Sequence, residues 1–357
     1  MRPCLYRHKG VLHLESGAVL RDPVIAYHTY GSLNAERDNV AWVCHALTAN
    51  SEVADWWPHT VEPGRFLDPG RHFVICANIL GSPYGSTGPM HLSQELGRPF
   101  YGDFPTLTIR DITAAHRLLA DALGIPGIDV LVGSSVGGFQ AVEWAVSDPG
   151  FIRKLVLIAT APKATPWTIA IDQTQRMAIE ADATFGEHRP DAGAAGLAAA
   201  RAIGLLTYRG RSGYNLTQQD PDDALKAAGT HRASTYQLHQ GEKLRKRFDA
   251  YSYHTILDAF DSHDIGRGRG GVEAALDRIT ARTLTVGITT DMLFPPEEMR
   301  QWSSRIPDCR YREIDSPFGH DGFLVENDLL NDILDPFINE QQPASGTDAP
   351  FQIKTDL

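Results

Sequence analysis

The chain contains few cysteines, and no two of them stand at C-x-x-C spacing. Four cysteines are spread over 357 residues, at positions 4, 44, 76 and 309. Cys44 and Cys76 lie in apolar strand-like runs, where a thiol packs as a small hydrophobic group. This pattern predicts reduced cysteines, no metal site and a cytoplasmic protein.

The chain also lacks an excess of positive charge and any long hydrophobic run. Its 33 Lys and Arg residues against 44 Asp and Glu give a formal net charge of -11, whereas phosphate polymers are bound by clustered cations. No apolar run approaches the roughly 18 residues needed to cross a bilayer, and residues 1–9 lack the apolar core of a signal peptide. We therefore predict no nucleic-acid partner, no membrane segment and no secretion signal.

What the chain does contain is an alternation of short apolar runs and helical patterns. Runs with the length of buried strands lie at 40–44, 73–77, 130–132, 155–158 and 284–288. Residues 108–123 carry apolar positions at helical spacing, which predicts a crossover helix before the third run. Segments 11–14 and 24–27 are typical of antiparallel strands that begin the sheet. The sequence predicts an α/β fold with a mostly parallel sheet flanked by helices.

After Thr165 the strand-like runs give way to helical patterning at 167–206 and 222–260. We interpret this region as a helical lid inserted into an α/β core, with core segments at 1–165 and 281–340 and the lid at 166–280. The glycine-rich stretch 266–271, with Arg267 and Arg269, favours a hinge over a phosphate cradle because no strand leads into it. Residues 341–357 are polar and aperiodic, which predicts a disordered tail.

Residues 133–137 form a G-x-S-x-G motif between an apolar strand and a helix. A strand that turns sharply into a helix strains the turn residue, here Ser135, and needs small neighbours, here Gly133 and Gly137. The Ser135 hydroxyl is then a candidate nucleophile, and the Val136 amide points from the helix N-terminus toward the reacting centre. The alternative is a tight turn of any α/β protein.

A serine nucleophile needs a base and a carboxylate that orients the base. Asp291 follows the run 284–288 and His320 follows a strand-like stretch at 311–314, so both are expected beyond the carboxyl ends of strands. The alternative role for Asp291 is a turn or helix cap. The chain order Ser135, Asp291, His320 is that of an α/β-hydrolase fold.

The segment 45–48 follows the first apolar run, where such folds place the second oxyanion donor. We expect the backbone N–H of Leu47 or of Thr48 to act beside that of Val136. For the His45 imidazole the sequence favours a structural role, in which the ring holds this loop by hydrogen bonds to the backbone.

Longer motifs resemble those of the homoserine O-acetyltransferase family over nearly the whole chain, to about Leu330. They are CHALT at 44–48, GDFP at 102–105, TIRD at 108–111, GSSVGGFQ at 133–140, LTYR at 206–209, HDIGRG at 263–268 and GHDGFL at 319–324. The resemblance implies transfer of an acetyl group from acetyl-CoA to the hydroxyl of L-homoserine in methionine biosynthesis, through an acetylated Ser135. It implies no permanently bound cofactor, since acetyl-CoA is a substrate, and a homodimer that contacts through the helical insertion.

The resemblance also assigns the groups that hold the acceptor. An amino-acid substrate needs a cation for its carboxylate and an anion for its ammonium group, and by the family match these are Arg201 and Asp321. Tyr208 lies two helical turns from Arg201 on the same face, and Arg209 is a nearby rival to Arg201. The basic run 243–247 either meets CoA phosphates or forms a solvated helix face, and we assign it no role.

Three alternatives remain open. Departures from the family pattern at Val136, Phe139 and 49–50 leave succinyl-CoA as an alternative donor and serine as an alternative acceptor, although the LTYR motif is typical of the acetyl branch. A serine ester hydrolase uses the same three residues with water as acceptor, and has no need for Arg201 and Asp321. A catalytically silent binding module is disfavoured, because such a protein has no physical reason to keep all three.

Overall fold

The computed structural model describes residues 2–222 and 224–339 of the chain. The described residues form twelve strands, which are β1 (Cys4–Arg7), β2 (Val11–His13), β3 (Val19–Arg21), β4 (Val24–Tyr30), β5 (Val40–Cys44), β6 (Phe73–Ala77), β7 (Leu92–Ser93), β8 (Arg98–Pro99), β9 (Ile128–Ser134), β10 (Ile152–Ile158), β11 (Arg282–Ile288) and β12 (Cys309–Ile314). They also form twelve α-helices, which are α1 (Val53–Trp56), α2 (Ile109–Ala122), α3 (Val136–Ser147), α4 (Pro166–Glu180), α5 (Ala194–Tyr208), α6 (Arg211–Gln218), α7 (Arg232–Arg245), α8 (Ala250–Asp261), α9 (Val272–Leu276), α10 (Pro296–Ser303), α11 (Gly322–Val325) and α12 (Asn327–Asn339).

Eight strands form one sheet in the order β1-β4-β6-β5-β9-β10-β11-β12. Neighbouring strands from β6 to β12 are parallel, whereas β4 is antiparallel to both β1 and β6. The carboxyl ends of the parallel strands therefore lie along one edge, where such sheets carry their functional groups. The predicted mostly parallel sheet is confirmed.

Both faces of this sheet are covered, so its central strands are apolar along their whole length. Every residue of β9 is buried. Leu131 packs in a core cluster with α2 and α3, whereas its neighbours Val130 and Val132 pack in the cluster of the opposite face with α12. Alternate side chains of a strand point to opposite faces, so a sheet covered on both sides requires the continuous apolar runs seen in the sequence.

The predicted central elements are confirmed. β5 and β6 have the predicted bounds, and β9, β10 and β11 extend beyond the predicted runs. Helix α2 is capped at Thr108, whose hydroxyl accepts a hydrogen bond from the Asp111 amide in a capping box. This cap fixes the start of the predicted crossover helix.

The prediction for the first strands is only partly right. Residues 24–27 join the main sheet in β4, but β2 pairs with β3 in a separate two-stranded sheet. Gly17, at φ 84°, closes the turn, with its amide 2.9 Å from the Leu14 carbonyl oxygen. Because the chain reverses within a few residues, β2 pairs with its nearest neighbour and not with the main sheet.

The chain is helical between β10 and β11, from α4 to α9. The helical pattern predicted for 167–206 is interrupted between α4 and α5, where Gly186 and Gly193 both have positive φ. The pattern predicted for 222–260 becomes helix at Arg232. The proposed boundaries of the lid stay a prediction, and the tail predicted for 341–357 lies outside the described residues.

The cysteines are free thiols, with Cys44 and Cys76 buried, and burial raises the pKa of the Cys44 thiol. Within residues 2–222 and 224–339, no helix has both the length and the apolar content to cross a bilayer. In the same residues, no group of three or more His, Cys, Asp or Glu side chains is arranged to hold a metal ion. The cytoplasmic location stays a prediction.

Candidate active site

Ser135 lies between β9 and α3 in a strained backbone conformation. Its φ of 54° and ψ of -126° lie in a region that residues other than glycine rarely adopt. The Ser135 amide donates to the Ile158 carbonyl oxygen at 2.9 Å, and its carbonyl oxygen accepts from the Thr160 hydroxyl at 2.7 Å. These bonds from β10 and the loop after it hold the strained turn in place.

Two glycines make this turn sterically possible. A Cβ on Gly137 would lie 2.0 Å from the Cys44 carbonyl oxygen, and one on Gly133 would lie 2.2 Å from the Gly137 carbonyl oxygen. The first turn of α3 therefore packs directly against the backbone of β5 and β9. Any side chain larger than glycine would push α3 away and displace Ser135.

The structure brings Ser135, Asp291 and His320 into hydrogen-bond contact. Nε2 of His320 lies 2.8 Å from Oγ of Ser135, and Nδ1 lies 2.8 Å from Oδ2 of Asp291. The other Asp291 carboxylate oxygen accepts from the amides of Leu293 at 2.8 Å and Phe294 at 3.1 Å. With Nδ1–H donating to Asp291, Nε2 is left to accept the serine proton, which is the geometry of an activated nucleophile.

The charges around His320 act on its pKa in opposite directions. Complete burial of the ring is the largest influence and lowers the pKa, while the carboxylates of Asp291 and Asp321 raise it. The combined effect of the carboxylates exceeds the effect of burial, so the pKa of His320 lies above its ordinary value of 6.5. His320 is therefore a stronger base than a free imidazole, as a serine-activating group requires.

His45 holds the loop that follows β5. Its Nδ1 lies 2.8 Å from the Ala46 carbonyl oxygen, and its Nε2 accepts a hydrogen bond from the Ile79 amide at 3.0 Å. Burial lowers the pKa of His45 to about 4, so the ring is neutral with its proton on Nδ1. The structural role that the sequence favours for this imidazole agrees with these contacts.

Leu47, Thr48 and Val136, the three residues with candidate oxyanion amides, all line the cavity that contains Ser135. Val136 is the first residue of α3, so its N–H has no partner within the helix. Among the described residues, no acceptor is found for the amides of Leu47 and Thr48 either. All three amides are therefore available to a bound ligand.

A cavity of about 610 Å³ contains Ser135 and His320 and is also lined by Arg201, Tyr208 and Asp321. Arg201 and Tyr208 reach it from one face of α5, with the guanidinium carbon 5.7 Å from the centre of the tyrosine ring. The structure thus gathers all of the predicted acceptor groups around the candidate nucleophile.

Arg209 also enters this group. Its Nε lies 2.9 Å from Oδ2 of Asp321, and both residues line the cavity. Burial raises the pKa of Asp321 most strongly, while Arg209, His320 and Arg201 act to lower it, and the net shift is upward. Asp321, which is next to His320 in the sequence, therefore contacts Arg209 and lies close enough to Arg201 to feel its charge.

Three cavity residues were left without a role by the sequence. Asp172 reaches the cavity from α4, and Lys243 and Arg247 reach it from α7 and the turn that follows it. Burial, together with the neighbouring Asp261, raises the pKa of Asp172 well above its usual range. Lys243 and Arg247 belong to the basic run 243–247, but the sequence does not reveal which residues of this run meet a cavity.

Known proteins share the fold of this chain and much of its sequence. A family model of the alpha/beta hydrolase fold matches residues 43–327. The homoserine O-acetyltransferase of Cyclobacterium marinum is 44% identical over 329 residues, which cover 92% of this chain and 93% of that protein. The enzyme of the same name from Moorella thermoacetica is 40% identical over 359 residues, covering 95% and 96% of the two chains.

Solved structures have the same architecture. A homoserine O-acetyltransferase from Staphylococcus aureus has a TM-score of 0.79 and 29% identity, with 97% of each chain covered. An acetylester hydrolase from Corynebacterium glutamicum has a TM-score of 0.84 at 24% identity, covering 95% of this chain and 96% of that one, which shows a shared fold alone. By its identity to the relatives over nearly its full length, the chain belongs to the homoserine O-acetyltransferase family of alpha/beta hydrolase fold proteins.

Proposed function

We propose that this chain transfers an acetyl group from acetyl-CoA to the hydroxyl of L-homoserine, giving O-acetyl-L-homoserine and CoA as a step of methionine biosynthesis. The observation that carries the proposal is the hydrogen-bonded series Ser135, His320 and Asp291 in a cavity that also holds Arg201 and Asp321. The first three groups suit acyl transfer, and the last two suit an amino-acid acceptor. Acetyl-CoA acts as a substrate, and no permanently bound cofactor is required.

In the first half-reaction Ser135 attacks the thioester carbon of acetyl-CoA. Nε2 of His320 takes the hydroxyl proton as the new C–O bond forms, and Asp291 stabilises the resulting imidazolium through Nδ1–H. The tetrahedral intermediate collapses when the C–S bond breaks. His320 returns the proton to the departing sulfur, so that free CoA leaves and an acetyl ester remains on Ser135.

The charge that develops on the carbonyl oxygen is stabilised by backbone amides. Val136 supplies one N–H from the start of α3, and the loop after β5 supplies the second. The Ala46 carbonyl oxygen is held by His45 and by the Ala49 amide, and the Leu47 N–H lies on the opposite side of that same peptide. This constraint favours Leu47 over Thr48 as the second donor.

In the second half-reaction the homoserine hydroxyl takes the place that CoA has left. His320 removes its proton as the oxygen attacks the acetyl ester, and then returns the proton to Oγ of Ser135 when that bond breaks. O-Acetylhomoserine leaves, and the site is restored. The same base thus serves both halves of a ping-pong reaction.

The charged groups of the cavity hold the acceptor in place. Arg201 binds the homoserine carboxylate and Asp321 binds its ammonium group, because an unpaired charge in a buried site costs several kcal/mol. Arg209 keeps Asp321 in position through their contact of 2.9 Å, and Tyr208 lies beside Arg201 on α5. Water lacks both charged groups and gains nothing from this pair, which disfavours simple ester hydrolysis.

The test is a CoA-release assay that combines acetyl-CoA or succinyl-CoA with homoserine or serine. We expect rapid release of CoA with acetyl-CoA and homoserine, and little with the other three pairs. Release that does not depend on an amino acid would identify a hydrolase. Faster turnover with succinyl-CoA, or with serine, would assign the alternative donor or acceptor.

We also infer a homodimer that contacts through the helices between β10 and β11. Large apolar side chains are exposed on these helices, and subunit contacts bury side chains of this kind. They are Trp167, Met177, Leu206, Leu216 and Leu238. Sedimentation velocity is expected to give twice the mass of the chain, and a monomer at micromolar concentration would contradict the inference.

A further inference from the structure

One side of α7 and of the turn after it brings basic side chains to the mouth of the active-site cavity. Gln240 and Lys243 of α7 line the cavity and lie three residues apart on one helix face, and Arg247, in the turn after α7, lines the same cavity. Lys243 and Arg247 are exposed, whereas Ser135 in the same cavity is 9% exposed. The cavity therefore leads from the buried nucleophile to a rim that carries two positive charges.

The other two basic residues of the run 243–247 form ion pairs away from the cavity. Arg245 and Lys246 both pair with Glu242 and do not line the cavity. Among the described residues, by contrast, no carboxylate lies within 4.0 Å of the Lys243 ammonium group or of the Arg247 guanidinium group. Arg247 instead donates to two uncharged groups, the Thr48 carbonyl oxygen and the Tyr84 hydroxyl.

The carboxylates of the cavity do not cancel these charges. Asp321 is already paired with Arg209. Burial and the neighbouring Asp261 raise the pKa of Asp172 well above its usual range, so its charged form is disfavoured. Asp55, an exposed residue of α1, is the remaining acidic group among the described residues of the lining. The rim is thus cationic in a chain whose formal net charge is -11.

We propose that Lys243 and Arg247 bind the phosphate groups of the adenosine part of CoA while its thioester lies at Ser135. The proposal rests on the function proposed above, which requires a donor with a buried thioester at one end and a multiply charged nucleotide at the other. An ammonium and a guanidinium group without carboxylate partners form strong charge-assisted hydrogen bonds to phosphate oxygens. They also offset the repulsion that an acidic protein exerts on an anionic donor.

A purely structural role for these side chains makes a different prediction. Lys243 lies in the last turn of α7, where a cation interacts favourably with the helix dipole. Loss of that interaction would lower the melting temperature but would not change the affinity for one donor over another. Arg247 also braces the Thr48 carbonyl beside the nucleophile, so Lys243 is the cleaner position for a test.

The experiment compares two acetyl donors that differ only in the nucleotide, acetyl-CoA and S-acetylpantetheine. Lys243→Glu is expected to raise the KM for acetyl-CoA by about tenfold or more and to leave the KM for S-acetylpantetheine nearly unchanged. Lys246→Glu makes the same change of charge on the same helix end, away from the cavity. This control is expected to leave both KM values nearly unchanged. Arg247→Met should raise the acetyl-CoA KM as well.

Equal effects of Lys243→Glu on both donors, or no effect on either, would overturn the proposal. Calorimetric binding of adenosine 3′,5′-bisphosphate, which needs no turnover, separates this failure from failure of the proposed function. If the wild-type protein transfers no acetyl group yet binds this nucleotide in a Lys243-dependent way, the phosphate site stands and the reaction is wrong. If acetyl transfer proceeds and nucleotide binding does not depend on Lys243, the phosphate site is wrong and the reaction stands.

Discussion

At the scale of single residues, the proposed chemistry depends on the Ser135 hydroxyl, which can transfer its proton to His320. Ser135→Ala removes the attacking oxygen and is expected to lower turnover by at least about 10⁴-fold. Intact-protein mass spectrometry after incubation with acetyl-CoA alone should find an acetyl adduct on the wild type and none on the variant. The neighbouring serine provides the control, since Ser134→Ala should retain the adduct. An adduct of unchanged yield in Ser135→Ala would remove this residue from the mechanism.

The pH dependence of the donor half-reaction reports on His320, which accepts a proton only when it is neutral. Because the pKa of His320 is raised above 6.5, the rate of acyl-enzyme formation should fall about tenfold per pH unit as the pH drops below that pKa. The Asp321 charge contributes to the rise, so Asp321→Asn should move this acid limb to lower pH. Rapid-quench measurements with acetyl-CoA alone test both points. An unmoved limb, or one moved to higher pH, would contradict the assigned electrostatics.

Arg201 is expected to act on the acceptor and not on the donor. Arg201→Ala should raise the KM for homoserine by about 10- to 100-fold, since a hydrogen bond to a charged group is worth about 1.5–3 kcal/mol. The rate of acyl-enzyme formation from acetyl-CoA should change little. Separate measurement of the two half-reactions checks this division. Equal losses in both would indicate that Arg201 supports the fold of α5 instead of binding the acceptor.

Single residues also differ in how far the sequence reveals them. The proximity of Ser135, Asp291 and His320 was predictable because each follows a predicted strand, and the ends of parallel strands meet at one edge. Asp172 was not, because its raised pKa depends on burial in the folded protein and on Asp261, which lies on a different helix. The pairing of Arg209 with Asp321 likewise depends on where α5 crosses the loop after β12, and no local pattern encodes that crossing.

At the scale of elements, the turn between β9 and α3 depends on backbone contacts that only glycine permits. Gly137→Ala would place a Cβ 2.0 Å from the Cys44 carbonyl oxygen, so α3 must move away from β5. We expect a loss of about 3 kcal/mol or more in the free energy of unfolding, measured by urea denaturation, together with loss of acyl-enzyme formation. Gly102→Ala is the matched control, because its added Cβ meets only the Tyr251 ring at ordinary contact distance. A Gly137→Ala variant as stable and active as the control would refute the steric argument.

Elements were predictable where local pattern and tertiary environment agree. The buried strands β5 and β6 have continuous apolar sequences because both of their faces are covered, and their bounds follow directly. Segment β2 has a similar apolar character but pairs locally with β3, since strand periodicity specifies a partner face and not the partner itself. The interruption between α4 and α5 depends on a few turn residues within a region that is otherwise rich in helix formers.

At the scale of the whole molecule, one buried ion-pair cluster joins segments that lie far apart in the chain. Glu143 of α3, 1% exposed, accepts two hydrogen bonds from Arg269, at 2.9 and 2.6 Å. Its carboxylate also lies 3.4 Å from Nε of Arg110 in α2. Arg267, in the same glycine-rich stretch as Arg269, pairs with Glu15. The two arginines of this stretch are thus occupied by carboxylates, which supports the sequence-based preference against a phosphate cradle there.

The Glu143 cluster is expected to stabilise the folded protein. Glu143→Gln leaves the Arg269 guanidinium group without its buried carboxylate partner, while Arg110 keeps its pair with Glu15, and removal of one partner of a buried pair costs about 3–5 kcal/mol. Urea denaturation should therefore find a loss of this size, with little dependence on salt because a buried pair is poorly screened. Glu242→Gln breaks the exposed pair with Arg245 and should cost less than about 1 kcal/mol. Since Glu143 does not line the cavity, the folded fraction of Glu143→Gln should retain its KM values. Equal stability of the two variants would mean that the cluster does not hold the glycine-rich stretch 266–271 against α2 and α3.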